Sequence, residues 1–281
     1  MIMKSVETFV AVTKLSVLAI LLQSCNLSEA PESVRIEDEV TFSGYKWDIK
    51  HSEAPVGPGP NPFSRQADDV YVDSKGRLHL RIAQHNNIWY STEVVSQDSM
   101  GYGTYRWTVT GDLKNIPTNI VLGLFTWDNE TFTTDANSEV DIEFAYWGDS
   151  SLTSSLLYSV QPVNFGVFYK ERTYHPEFDG DVLIGTSTHE FTWTPDLITW
   201  SSHTGYADEE GTPIASWSYD LNNPARRKFE GGARSNPVII PKPSPTTGAR
   251  MNLWIASHLE TYPLDNEEHE IILDSFEYTP L

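Results

Sequence analysis

Three carboxylic acids stand at alternating positions in Ser138-Glu-Val-Asp-Ile-Glu-Phe144. In a β-strand successive side chains point to opposite faces, so Glu139, Asp141 and Glu143 share one face while Val140, Ile142 and Phe144 take the other. Same-face neighbours lie roughly 6.8 Å apart, near enough for like charges to repel and spread their pKa values. A helix would turn Asp141 away from the two glutamates, but the β-branched apolar residues at period 2 favour a strand. Glu139 and Glu143, about 13–14 Å apart at Cα, could lean together until their carboxyls are about 5–6 Å apart, the separation a retaining glycosidase uses. One carboxylate would attack an anomeric carbon, and the other would protonate the leaving oxygen and then activate water. A nearby negative charge keeps that acid protonated near neutral pH, and a middle Asp sharing a proton with the nucleophile tunes both. The plainer alternative for so short a pattern is an exposed acidic edge or a cation site.

A row of acids needs a stiff sheet beneath it. Past Val40 there is no sustained helical period; short alternating, β-branched and aromatic runs recur between Gly, Pro, Asn and Asp clusters. They predict strands over Arg77–Ile82, Trp89–Val95, Gly103–Val109, Ile120–Trp127, Glu139–Ala145, Ser154–Val160, Glu190–Thr194, Ile198–Ser202, Ile214–Tyr219, Arg250–Ala256 and Glu268–Tyr278. So many strands without helices argue for an all-β fold, a β-sandwich of the jelly-roll kind. No linker or fixed-period repeat interrupts them, so residues 40–281 read as one domain. Two stretches read as loops: Pro55–Pro62, and a Pro-rich segment from Asn222 to Gly248 carrying the basic residues Arg226, Arg227, Lys228 and Arg234.

The 281-residue chain has 19 Lys+Arg against 39 Asp+Glu, a formal charge of -20, so nucleic acid would be repelled. Nine Trp, thirteen Tyr and twelve Phe supply rings for a packed core. The eight His show no metal-ligand spacing and no Ser/His/Asp arrangement, so metal-assisted hydrolysis and acyl transfer have no footing. Cys25 is the one cysteine, which excludes a disulfide framework. It follows the apolar run Leu15–Leu22, which is too short to span a bilayer and has the length of a signal-peptide core. Leu22-Gln-Ser-Cys25 resembles a bacterial lipoprotein signal, whose cleavage leaves the cysteine as the lipid-bearing first residue. Residues 1–24 are then a signal peptide and 25–39 an acidic tether. The expectation is a monomer in the bacterial cell envelope, touching membrane only through a lipid on Cys25. A cleaved secretory signal with an incidental cysteine is the alternative.

Five blocks in order, Gly101-Tyr-Gly-Thr-Tyr105, Gly123-Leu-Phe-Thr-Trp127, Glu139-Val-Asp-Ile-Glu143, His189-Glu-Phe-Thr-Trp-Thr-Pro195 and Met251-Asn-Leu-Trp254, resemble glycoside hydrolase family 16. The resemblance runs from about Phe42 to the C-terminus and implies the concanavalin A-like jelly roll of lectins and glucanases. It implies Glu139 as nucleophile, Asp141 as assisting carboxyl and Glu143 as acid/base. Members of the lichenase type line the cleft at positions matching Glu93, Phe125, Trp127, Asn252 and Trp254, where rings stack on sugar faces and polar groups bind hydroxyls. Two positions depart: an Arg two residues after Glu93 is Val95 here, and a Trp two residues before the nucleophile is Asn137. Both put a mixed-linkage glucan substrate in doubt. The triplet lacks the extra residue of bulged relatives, so its strand should be regular.

Gln161 reads either as a cleft residue or as a surface amide. Trp107, Trp193 and Trp200 read as core, while Trp217 and Tyr219 could be an outer sugar platform. Asp274, with the Gly76 carbonyl, matches a structural calcium site of some relatives, though a lone Asp in a C-terminal strand also reads as surface; catalysis itself calls for no cofactor. The reading is a retaining endo-glycosidase acting on a β-linked polysaccharide, a β-glucan first. Its alternatives are a lectin-like binding module, or a transglycosylase on the same residues.

Overall fold

Ser43 and Gly44 both hold left-handed backbone angles (φ 53° and 83°), and such a two-residue turn matches the twist of paired strands. It folds β1 (Glu39–Phe42) onto β2 (Tyr45–Ile49). The structure, a computed structural model, describes residues 35–163, 170–220 and 240–281. The expected signal peptide, Cys25 and the basic residues Arg226–Arg234 lie outside them.

After the first hairpin come β3 (Ser52–Val56), β4 (Asn61–Phe63), β5 (Val70–Val72), β6 (Leu78–His85), β7 (Ile88–Tyr90) and β8 (Thr92–Ser96). The chain continues through β9 (Gly103–Asp112) and β10 (Ile120–Trp127) into one short helix, α1 (Phe132–Asp135), between two 3-10 turns. It ends with β11 (Val140–Phe144), β12 (Leu156–Val160), β13 (Thr173–Tyr174), β14 (Ile184–Trp193), β15 (Leu197–Thr204), β16 (Pro213–Asp220), β17 (Gly248–Ile255) and β18 (His269–Pro280). One sheet runs β1-β2-β8-β17-β10-β11-β12-β13 and the other β16-β15-β14-β9-β18-β6-β5, with β7 beside β6. The pairing is antiparallel throughout both, and β3 and β4 form a separate ribbon. This is the jelly-roll sandwich the sequence predicts.

The core lies between the sheets. Alternation sends Leu122 and Leu124 of β10, Val140, Ile142 and Phe144 of β11, and Met251 and Leu253 of β17 inward. They meet Tyr105 and Trp107 of β9, Phe191 of β14 and Phe276 of β18, all buried. Burying each such side chain is worth about 1.5–3 kcal/mol, so the sheet that carries the acids is anchored from behind along its length. Trp193 and Trp200 are core as expected, but so is Tyr219, and Trp217 lies 4.6 Å from Trp200 by ring centroids. Both belong to β16 in the other sheet and pack on the core, which decides for core over the sugar platform they could have been.

Three expectations are revised. Trp89–Val95 is not one strand: Ser91 pairs with Pro62 and Ser64, and the chain changes sheets there, which periodicity alone does not reveal. The expected Pro55–Pro62 loop carries the ends of the β3–β4 ribbon. Arg35 to Asp38, expected in the tether, bind the domain through backbone hydrogen bonds to Arg65, Ala67 and Ile49, because their amides and carbonyls find open partners along its edge.

Candidate active site

The acids lie on the face of the first sheet that points away from the core. Antiparallel register sets Glu93, Asn252, Gly123 and Glu143 in one row across β8, β17, β10 and β11. The next row is Val95, Arg250, Phe125, Asp141 and, on β12, Ser159. No register shift interrupts β11 on either side, so the strand is regular as expected. A groove of about 460 Å³ crosses these rows, within the range of ligand-binding clefts. Glu139, Asp141, Glu143, Glu93, Phe125, Trp127, Asn252 and Trp254 all line it. Lys50, Gly57, Pro58, Gly123, Asn129 and Arg250 complete the lining and were missed from sequence. Period 2 counted back from Asn252 would have found Arg250, and the register that sets Gly123 opposite Asn252 explains the glycine. A Cβ on Gly123 would sit 2.5 Å from Asn252 Oδ1.

The triplet is wired to its neighbours. Asp141 Oδ2 accepts a hydrogen bond from Ser159 Oγ at 2.5 Å and one from Gln161 Nε2 at 3.4 Å. Gln161 is held with this end toward Asp141 because its Oε1 accepts from the Val163 N–H at 2.9 Å, so it stands beside the triplet without lining the groove itself. Burial raises Asp141 to about 6, against the pull of the Ser159, Gln161 and Glu139 hydrogen bonds. Glu139 is raised well above the usual carboxylate range by burial first, then by the charges of Asp141 and Glu143, while Arg250 pulls it back. Glu143 is raised by burial and by Asp141. Burial and mutual repulsion therefore favour the protonated forms of Glu139 and Glu143, while the hydrogen bonds to Asp141 favour its ionised form.

The walls are fixed as firmly. Trp127 donates through Nε1 to Asn129 Oδ1 at 2.8 Å and meets Phe125 edge-on at 6.5 Å. Buried Asp128 accepts from Thr246, Thr247 and Ser244 and from the Glu130 N–H, latching the segment before β17 to the end of β10. Three successive left-handed residues, Ala136, Asn137 and Ser138, then turn the chain into β11. Asn adopts that conformation more readily than most residues, which suits Asn137 to the position where the resemblance leads one to expect Trp. Its Nδ2 donates to the Asp128 carbonyl at 2.9 Å.

Asp274 is away from the groove. It is the extra residue of a bulge in β18, and its Oδ2 is buried without a hydrogen-bond partner. Among the described residues no group of three or more His, Cys, Asp or Glu could hold a metal. The orphaned oxygen suits one carboxylate bond to a hard cation such as calcium, whose other oxygens would come from backbone and water.

No protein-family model matches the chain, and no curated protein matches it. Solved structures match its fold. A Bacillus licheniformis β-glucanase superposes with a TM-score of 0.56 at 19% identity, over 90% of this chain and 100% of its own. The Bacteroides ovatus mixed-linkage glucan GH16 protein, in complex with G4G4G3G product, gives 0.55 at 14% identity over 86% and 98%. A Mycobacterium tuberculosis immunostimulatory antigen and pseudo β-1,3-glucanase gives 0.55 at 15% identity over 88% and 99%.

Proposed function

We propose that the protein is a family 16-like glycoside hydrolase, a retaining endo-glycosidase that cuts a β-linked glucan lying in this groove. The observation that carries the reading is the triplet: Glu139, Asp141 and Glu143 stand on one face of a regular strand, on the floor of an aromatic-walled groove. A fold needs no such row, since Asp141 is buried, Glu139 and Glu143 are partly so, and ionising all three would set like charges against one another. The β-glucanase and the glucan-product complex that share the fold support the substrate class. The pseudo-glucanase on the same fold keeps a glycan-binding module as the second reading.

In the proposed reaction Glu139 attacks the anomeric carbon while Glu143 gives its proton to the leaving oxygen. Asp141 takes the shared proton as Glu139 becomes the nucleophile. Glu143, now ionised, draws a proton from water, which releases the sugar with retained configuration. An acceptor sugar in place of that water would make the same site a transglycosylase.

The test is release of reducing ends from a panel of polysaccharides by wild type, Glu139→Ala and Glu143→Ala. A β-glucan cut by wild type alone supports the reading. Cleavage of no polysaccharide, or wild-type rates in either variant, refutes it. We further propose that Cys25 carries a lipid that anchors the protein to the cell envelope; a mass spectrum of membrane-extracted protein without diacyl modification would remove that part.

A further inference from the structure

Glu93 is matched by resemblance to a sugar-binding position, yet its carboxylate has little left to offer a sugar. Its side chain is 1% exposed. Oε1 accepts from Arg250 Nη1 at 2.8 Å, and Oε2 accepts from Lys50 Nζ at 2.9 Å and from Asn252 Nδ2 at 3.3 Å. Lys50 is also tied to the Gly57 carbonyl at 2.6 Å. One buried acid thus holds two cations, whose side chains keep 21% (Lys50) and 16% (Arg250) exposure in the groove wall. The wall presents donors where a free carboxylate would have presented an acceptor.

Arg250 is the better placed of the two. Its guanidinium lies 5.5 Å from the centroid of the Trp127 ring; its Nε is buried without a hydrogen-bond partner, so the part of the side chain exposed to the groove lies elsewhere on it. A guanidinium carries five N–H donors, and Glu93 engages one of its nitrogens. The groove and an adjoining hollow of about 240 Å³ meet at Trp127, Asn129 and Arg250, so a chain passing from one to the other crosses this side chain. Arg250 is also the direct cross-strand partner of Val95. The two residues therefore share one face of the sheet.

We propose that Arg250 is the specificity-determining contact of this side of the groove, where with Lys50 it donates hydrogen bonds to the oxygens of a sugar seated over β8 and β17, and Glu93 is their buried counter-ion. The inference rests on the glycan-binding reading above, and not on whether the bound glycan is cut.

The test is titration calorimetry with mixed-linkage and β-1,3-linked glucan tetrasaccharides in the Glu139→Gln background, where no turnover intervenes, each variant being read on whichever of them the parent binds. Adding Arg250→Met weakens binding about tenfold or more, the worth of a hydrogen bond from a charged group. Adding Val95→Arg to Arg250→Met restores part of the loss, because the cation returns to the paired position. Arg250→Lys keeps Glu93 paired and guards against misfolding; it loses about threefold or more, since a point charge replaces the fork. Glu93→Gln, which keeps shape and loses the counter-charge, weakens binding less than Arg250→Met. Parent-level affinity in both Arg250 variants, or a larger loss in Glu93→Gln than in Arg250→Met, overturns the proposal alone. No binding by the Glu139→Gln parent overturns the glycan reading and this inference with it.

Discussion

Ser159 Oγ donates to Asp141 Oδ2 at 2.5 Å across the β11–β12 pair, where the two residues are direct register partners. Gln161 adds a second donor to the same oxygen. Both bonds favour ionised Asp141, so in the resting groove the shared proton sits toward Glu139. In the proposed reaction, attack by Glu139 requires that proton to cross to Asp141, which burial has pushed up to about 6, within reach of neutral pH. Glu143 meets only burial and the charge of Asp141, and both keep its proton in place. Three carboxylic acids on one face thereby meet three different surroundings.

The first prediction concerns the acid limb of the pH–kcat/KM profile. That limb follows loss of the first proton from the Glu139–Asp141 pair, near the value of about 6 set by Asp141. Ser159→Ala removes a donor to the ionised form, so the limb moves to higher pH by roughly half to one unit. A limb that stays where it was in wild type counts against Asp141 as the proton's second seat.

The second concerns Glu143. Glu143→Ala lowers turnover on polysaccharide by about 10²–10⁴-fold, the usual contribution of a positioned acid/base. On a substrate with an activated leaving group, azide restores turnover and yields the β-glycosyl azide. An absence of rescue, or an α-azide, contradicts the acid/base role.

Stability gives a third check that needs no substrate. Glu143 and Asp141 hold protons in the fold that the unfolded chain has released, because their folded values lie above the ordinary 4.5 and 3.8. A raised carboxyl costs stability as pH rises from its unfolded value through its folded one, so the triplet destabilises the fold at neutral pH and not below about pH 4. Glu143→Gln therefore raises the melting temperature by about 2–4 °C per kcal/mol regained at pH 7.5, and leaves it nearly unchanged at pH 4. An equal shift at both pH values would show that the gain is not electrostatic.

A fourth prediction concerns Asp274, whose orphaned oxygen sits at the β18 bulge. Millimolar calcium raises the melting temperature of wild type, EDTA reverses the rise, and Asp274→Ala shows neither. Identical melting curves with and without calcium remove the ion from this site.

Much of the site is legible in the sequence because period 2 is a property of one strand. Glu139, Asp141 and Glu143 fall on one face whatever lies beside them, and Ile120–Trp127 appears with the ends the structure gives it. Relations between strands are not written so locally. Nothing in the order of residues shows that Arg250 would lie beside Val95, or that Glu93 would be surrounded by Lys50, Arg250 and Asn252, because these depend on register set by distant turns. Trp217 and Tyr219 alternate correctly on β16, but which sheet receives that strand decides that they fill the core. The short strands escape for another reason. In β1 and β2 a few residues carry too little pattern, although Ser43-Gly44 between Phe42 and Tyr45 is a hairpin turn in plain view.

The central claim is that Glu139 becomes covalently bonded to the sugar. Incubation with an activated 2-deoxy-2-fluoro glucan oligosaccharide, followed by peptide mass spectrometry, tests it directly, because the fluorine slows release of the intermediate more than its formation. The account predicts a single oligosaccharide adduct on the peptide that contains Ser138–Phe144, placed on Glu139 by fragmentation and absent from Glu139→Ala. An adduct on Glu143 or elsewhere, or steady cleavage of the same reagent with no adduct at any time, contradicts it.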